Sequence, residues 1–229
     1  MKYVRTFLLC FIFMIGIVAF LILDYYGLIP KKIYSASDFS ITTVISPMDY
    51  NQNGIDDYQD ILIGAQKEAK RKPKYVNAYY DGGYPPINDG VCTDVIWRAL
   101  EEAGYSLKDL VTEDIKNNRE AYPNIIYQDS NIDFRRVINL DIYFQRNVIT
   151  LTNDISQISE WQPGDIVVFG NHEHIGIISD KRNQKGIPYL IHNAGQPKLE
   201  EDTLERWSKR KGITGHYRFR MTTQKDSTE

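Results

Sequence analysis

An unbroken uncharged stretch, Thr6 to Leu23 (TFLLCFIFMIGIVAFLIL), constrains this chain more than any other feature. At about 1.5 Å of rise per residue it makes a helix about 27 Å long, just enough to cross the hydrocarbon of a bilayer. Lys2 and Arg5 precede it, and Asp24, Tyr25 and Tyr26 follow at interface depth. A core helix would carry polar positions every few residues, and this stretch carries none. A cleaved signal peptide would need a small-x-small site close behind the run, whereas Val18-Ala19-Phe20 ends on a bulky side chain. Cys10, behind Phe7-Leu8-Leu9, stands too early for a lipoprotein acceptor. The pattern predicts a single-pass signal anchor over residues 1–24, with the N-terminus inside and the rest outside the cytoplasm. Lys31 and Lys32 on the far side reduce the charge asymmetry that sets this orientation.

Setting aside residues 1–23 removes Lys2 and Arg5 and no acidic residue, so 25 basic residues face 30 acidic ones, a net charge of -5. That balance predicts no nucleic-acid partner. The chain as a whole, with 42% hydrophobic and 25% charged residues, has the composition of a folded protein, and a monomer is expected. Two cysteines cannot make a disulfide framework. Residues 25–48 lack periodicity and read as a linker, residues 58–221 as the domain, and residues 222–229 as a polar disordered tail.

Between linker and domain lies Asp49-Tyr-Asn51-Gln-Asn53-Gly54-Ile55-Asp56-Asp57-Tyr-Gln-Asp60. Asp49, Asn51, Asn53, Asp57 and Asp60 fall at positions 1, 3, 5, 9 and 12 of a calcium loop. Gly54 sits at the sharp turn, and Ile55 offers its carbonyl at position 7. The pattern resembles the EF-hand and dockerin type of loop and predicts a structural Ca²⁺ site. Asp at position 12 and the absence of an entering helix leave a plain Asn/Gly turn, with Asp56 or Asp57 capping a helix, as the alternative.

Further along, Gly, Pro and Asn fill residues 79–90, after which Val91, Val95, Ile96, Ala99, Leu100 and Ala103 recur at helical spacing. Asn88 or Asp89 is the expected N-cap and Gly104 the stop. Cys92 then lies in the first turn, where the helix dipole and free N–H groups favour a thiolate; the alternative is a small packing residue. Pro163-Gly164-Asp165 opens an apolar strand at Ile166–Phe169, followed by strands at 173–179 and 189–193 around a polar turn at 180–186. A hairpin centred near residue 183 sets His174 and His192 opposite one another, within hydrogen-bonding reach. Gly176 shares the face of His174 and permits close approach. Arg135 and Arg136 follow Asp133, and either is a candidate clamp for a substrate carboxylate, or else half of an ion pair with Asp133. His216 reads as structural.

The series Tyr-x-x-Gly-Gly, Gly-x-Cys opening a helix, Pro-Gly-Asp-Ile-Val, His-Ile-Gly-Ile and Ile-His-Asn resembles the NlpC-type papain-like peptidases, which cleave peptide stems of bacterial peptidoglycan. Residues 58–220 also look like a bacterial family of exported proteins with a domain of unknown function, through GVCTDVIWRAL, NIDFRRVINL, HIGIISD, IHNAGQ and GHYRFR. The resemblance to NlpC-type enzymes implies an α+β fold in which a Cys-bearing helix packs on an antiparallel sheet. It implies Cys92 as nucleophile, His174 as base and His192 as orienter, with Asn193 a substitute orienter or substrate contact and Tyr79 beside the cysteine. No cofactor is implied for catalysis. The Val-Cys-Thr-Asp sequence departs from the Asp-Cys-Ser of those enzymes, leaving Asp94 as the candidate for recognising an amino terminus. The expected function is an extracytoplasmic cysteine hydrolase acting on cell-envelope peptide or amide bonds through a Cys-His-His triad. The alternatives are a non-catalytic wall-binding module and a zinc site built from His172, His174 and His192 or Cys92.

Overall fold

A computed structural model describes residues 2–26 and 28–220; the tail at 222–229 lies outside the described residues. The molecule divides into two units, residues 1–32 and 33–229. In the first, helix α1 (Lys2–Tyr25) carries the apolar run, with its large side chains exposed along the whole length. It is long and apolar enough to cross a membrane, as a membrane anchor or as a signal sequence.

The second unit is α+β. Its helices are α2 (Asp57–Arg71), α3 (Cys92–Glu102), α4 (Leu107–Asn117), α5 (Val137–Asn147) and α6 (Leu204–Lys211). Strands β1 (Lys74–Tyr75) and β2 (Asp89–Gly90) form a short parallel pair. The other six strands are β3 (Ile149–Thr150), β4 (Ile166–Phe169), β5 (His174–Arg182), β6 (Pro188–Ile191), β7 (Glu200–Glu201) and β8 (Ile213–Arg218), forming an antiparallel sheet in the order β3-β8-β4-β5-β6-β7.

Alternation along the strands divides the core. Ile166, Val168, Ile175, Ile177 and Ile191 face one way, onto Ile61, Cys92, Val95, Ile96, Ala99, Val111 and Phe144 of the helices. Val167, Phe169, Ile178 and Leu190 face the other way, onto Trp161, Leu204 and Trp207. The Cys-bearing helix α3 thus packs against the sheet. It also lies close on α2 at Gly64, where a Cβ would stand 2.8 Å from the Ala99 Cα.

Three sequence expectations change here. Residues 33–48 are folded onto the domain rather than serving as a tether. Tyr34 exchanges backbone hydrogen bonds with Arg182, Ile41 is buried, and the Gln162 amide bonds Val44 N–H and the Thr42 carbonyl. Such pairing leaves no periodic signal. The α3 N-cap is Val91, because residues 89 and 90 are taken by β2. Asp94 reaches back to accept the Val91 N–H at 2.7 Å. The expected turn at 180–186 begins later, since β5 runs on to Arg182, whose buried guanidinium donates to the carbonyls of Ile158, Trp161 and Gly186. His216 is structural as expected: its ring stacks on Trp161 and bonds Asp165 Oδ2 and the Thr152 carbonyl.

Candidate functional site

The β5–β6 register sets Ile177 opposite Ile191 and Ile178 opposite Leu190, then slips by the time Arg182 meets Pro188. Continuing the ladder one step puts His192 opposite Gly176 and only diagonal to His174, a correction to the directly opposed pair expected from the sequence. Contact is made because Gly176 has no side chain: a Cβ there would lie 3.1 Å from the His192 Cβ. His192 leans across this gap and its Nδ1 lies 2.8 Å from His174 Nε2. Both residues are buried.

The chain of contacts continues beyond His192. Its Nε2 is 3.1 Å from Glu201 Oε1, contributed by the edge strand β7. A carboxylate only accepts, so Glu201 calls for a proton on His192 Nε2. His192 Nδ1 then accepts from His174 Nε2, and the lone pair of His174 is left on Nδ1. The Gln196 amide nitrogen also lies 3.3 Å from His192 Nε2, but it already donates to the His192 carbonyl at 2.9 Å. Trp207 of α6 closes the assembly: its ring stacks on His174 at 4.3 Å and meets His192 edge-on.

Cys92 opens α3 on the helix-facing side of the sheet, against Ile175, the residue after His174. The N–H groups of Ile175, Thr93 and Cys92 itself lean on its sulfur and favour the thiolate, while burial acts more strongly and pushes the thiol up to about 11. The dipole argument from the sequence is thus outweighed. Burial, with the neighbouring His192, likewise pushes His174 down to about 3. At neutral pH the resting pair is therefore a thiol and a neutral imidazole. Iodoacetamide is expected to alkylate the Cys92 peptide about 100-fold more slowly at pH 7 than an ordinary cysteine, the rate rising about tenfold per pH unit up to pH 10. Peptide-level mass spectrometry reads Cys92 apart from Cys10, and a rate plateau near pH 7 would refute the neutral thiol.

The model for a domain of unknown function, DUF1287, matches residues 62–219. The chain belongs to the DUF1287 family. It is 40% identical over 153 residues to the uncharacterized protein YijF of Escherichia coli, an alignment covering 64% of this chain and 72% of that protein. No solved structure matches the chain. The DUF1287 match encloses Cys92, His174, His192, Glu201 and Trp207, and leaves out α1 and the 49–60 loop.

Within the DUF1287 region the remaining predicted residues separate. Asp94 and Arg135 face each other rather than a substrate: Arg135 Nε and Nη2 donate to the two Asp94 oxygens at 2.8 and 2.9 Å. Trp97 Nε1 and the Val91 N–H take the other Asp94 positions, and Arg135 Nη1 holds the Ala78 carbonyl. Both side chains are buried, so each is a structural member of the site's frame. Arg136 is exposed at the N-cap of α5. Asn193 is buried and donates to the carbonyls of Gly90 and Pro73, tying the end of β6 to the strand that leads into Cys92. Tyr79 is 58% exposed with its hydroxyl near Asn131 and Asp129. It is Tyr75 whose hydroxyl is pushed up by burial and by the nearby Cys92.

Tyr75, Glu201 and Trp207 escaped sequence reasoning. Glu201 and Trp207 fall in a short edge strand and a basic helix that carry no motif. The zinc alternative loses His172, which pairs with Asp141 at 3.0 Å. Among the described residues no three His, Cys, Asp or Glu side chains form a metal-binding group. In the 49–60 loop, Asp49 accepts the N–H groups of Asn53 and Gly54, and Gly54 has φ +87. Asn51 and Asn53 turn their amide nitrogens onto Asp60, the Ile55 N–H is held by Asn53 Oδ1, and Asp57 points away to Tyr50 N–H and the Tyr105 hydroxyl.

Proposed function

We propose that this domain is a cysteine hydrolase of papain-like, NlpC-type design, held outside the cytoplasm by a single-pass α1, and that it cleaves peptide or amide bonds of the bacterial cell envelope, peptidoglycan stems foremost. The observation that carries this reading is the Glu201–His192–His174 chain, which leaves the His174 Nδ1 lone pair free in the residue before Ile175, whose N–H touches the Cys92 sulfur.

In this mechanism Cys92 Sγ attacks the scissile carbonyl as its proton passes to His174 Nδ1, so thiol and imidazole enter the reaction uncharged. The oxyanion forms beside the N–H groups at the start of α3. As the C–N bond breaks, the leaving amine takes the proton from His174. A water molecule, deprotonated by the same nitrogen, then hydrolyses the thioester and returns the thiol. His192 and Glu201 are positioning residues that hold the tautomer and share the transient positive charge.

The test is mass spectrometry of purified peptidoglycan and its stem peptides after incubation with the detergent-solubilised full chain. Wild type is expected to release new fragments and Cys92→Ala none, with both melting at similar temperatures. Fragments from both variants, or from neither, would overturn the hydrolase reading, and the latter would favour a binding module. For the 49–60 loop we propose a structural Ca²⁺, supported by the Asp49 contacts to Asn53 and Gly54 N–H at the turn. The ion would replace the Asn51 and Asn53 amides on Asp60. Millimolar Ca²⁺ is expected to raise the melting temperature, and an unchanged melt with no heat of titration refutes it.

A further inference from the structure

Next to the imidazole pair the surface opens into a small cleft of about 130 Å³, lined by His192, Glu201 and Trp207 and by three cations of α6, Arg206, Arg210 and Lys211. Against the net charge of -5 over residues 24–229 this wall is a local reversal of sign. Two of the cations are answered: Lys211 pairs with Glu173, and Arg206 Nη2 lies 3.5 Å from Glu201 Oε1. Arg210 is exposed and has no hydrogen bond or ion pair among the described residues. Basic residues suit the C-terminal end of a helix, but that preference does not require a guanidinium to border a cleft floored by the orienting histidine.

The side of the substrate that meets this cleft follows from the proton path. His174 delivers its proton to the leaving amine, so the amine half of the substrate lies against His174. Trp207 stacks on His174 and is also a wall of the cleft. We propose that the cleft binds a carboxylate on the leaving-group half of the substrate, with Arg210 as its partner, so that the amine released is an amino acid or short peptide with a free carboxylate. This rests on the hydrolase reading for the assignment of leaving group. Cleavage forms the C–S bond to Cys92, breaks C–N, and passes the thiol proton through His174 to the departing nitrogen. A guanidinium suits this task because its fork matches the two carboxylate oxygens.

Binding tests this apart from turnover. The probes are an alanine tetrapeptide with a free C-terminal carboxylate and the same peptide as its carboxamide, titrated calorimetrically into the full-length Cys92→Ala protein. The carboxylate is expected to bind at least tenfold more tightly, as a charged hydrogen-bonded pair allows. Arg210→Gln in the same background is expected to erase that preference without lowering the melting temperature. Lys67→Gln, which removes an exposed cation paired with Glu102, should keep it. Equal affinity for the two probes, including no binding of either, overturns the proposal, as does a preference that survives Arg210→Gln. If wild type cleaves nothing while the Arg210-dependent preference persists, the hydrolase reading fails and the carboxylate cleft stands. Cleavage without the preference gives the converse.

Discussion

Asp94→Asn is expected to destabilise the domain by about 3–5 kcal/mol and to lower its melting temperature by roughly 10 °C. The size follows from what the amide leaves behind. Arg135 is held by both Asp94 oxygens at 2.8 and 2.9 Å, and the two side chains are 2% and 0% exposed. Asn keeps the shape and one acceptor, but strands a guanidinium with a full charge and no water to solvate it. The loss propagates toward the site, because the same carboxylate caps α3 at Val91, one residue before Cys92, and orients Trp97. Urea or thermal unfolding of the full chain measures the cost. The double variant Asp94→Leu with Arg135→Met is expected to recover more than half of it, since removing both partners also removes both desolvation penalties. If Asp94→Asn instead unfolds within about 1 kcal/mol of wild type and weakens substrate binding, both residues return to the substrate-recognition role that the sequence suggests.

This pair shows where sequence reasoning stops. Cys92 at the head of a core helix, the strands at 166–169 and 173–179 and the shared face of the two histidines were legible, because each is written in local periodicity and turn residues. The partner of Arg135 was not: Asp133 is close in sequence, yet the guanidinium crosses 41 residues to Asp94. Proximity along the chain is a poor guide once a loop can fold back over a helix terminus. Residues 33–48 hid their place for a related reason, since one strand bridge and a few side-chain-to-backbone bonds leave no repeat to read. Glu201 and Trp207 lie on β7 and α6, elements of two and eight residues, and acquire meaning only when the sheet edge folds over the histidines.

The hairpin register gives the second large effect. Gly176→Val is expected to cost about 3 kcal/mol and Gly176→Ala somewhat less, both by overpacking. A Cβ at residue 176 would stand 2.9 Å from the Ile191 carbonyl oxygen, 2.9 Å from Leu190 Cδ1 and 3.1 Å from the His192 Cβ. The leucine methyl can turn away, but the carbonyl belongs to the β6 backbone beside the paired strand, and His192 can yield only by backing off His174. The alanine variant therefore reports on the site while still folded. With His192 displaced, the 2.8 Å contact between the rings opens. One of the two causes that hold His174 near 3, the neighbouring imidazole, weakens, and solvent entering the gap relieves the other. The sign is fixed: the His174 titration must move upward toward the ordinary value of about 6.5. Imidazole NMR of labelled protein would follow it, with thermal unfolding alongside. An alanine variant with wild-type stability and an unmoved His174 titration would mean that the glycine is incidental and that the histidines meet without needing the gap.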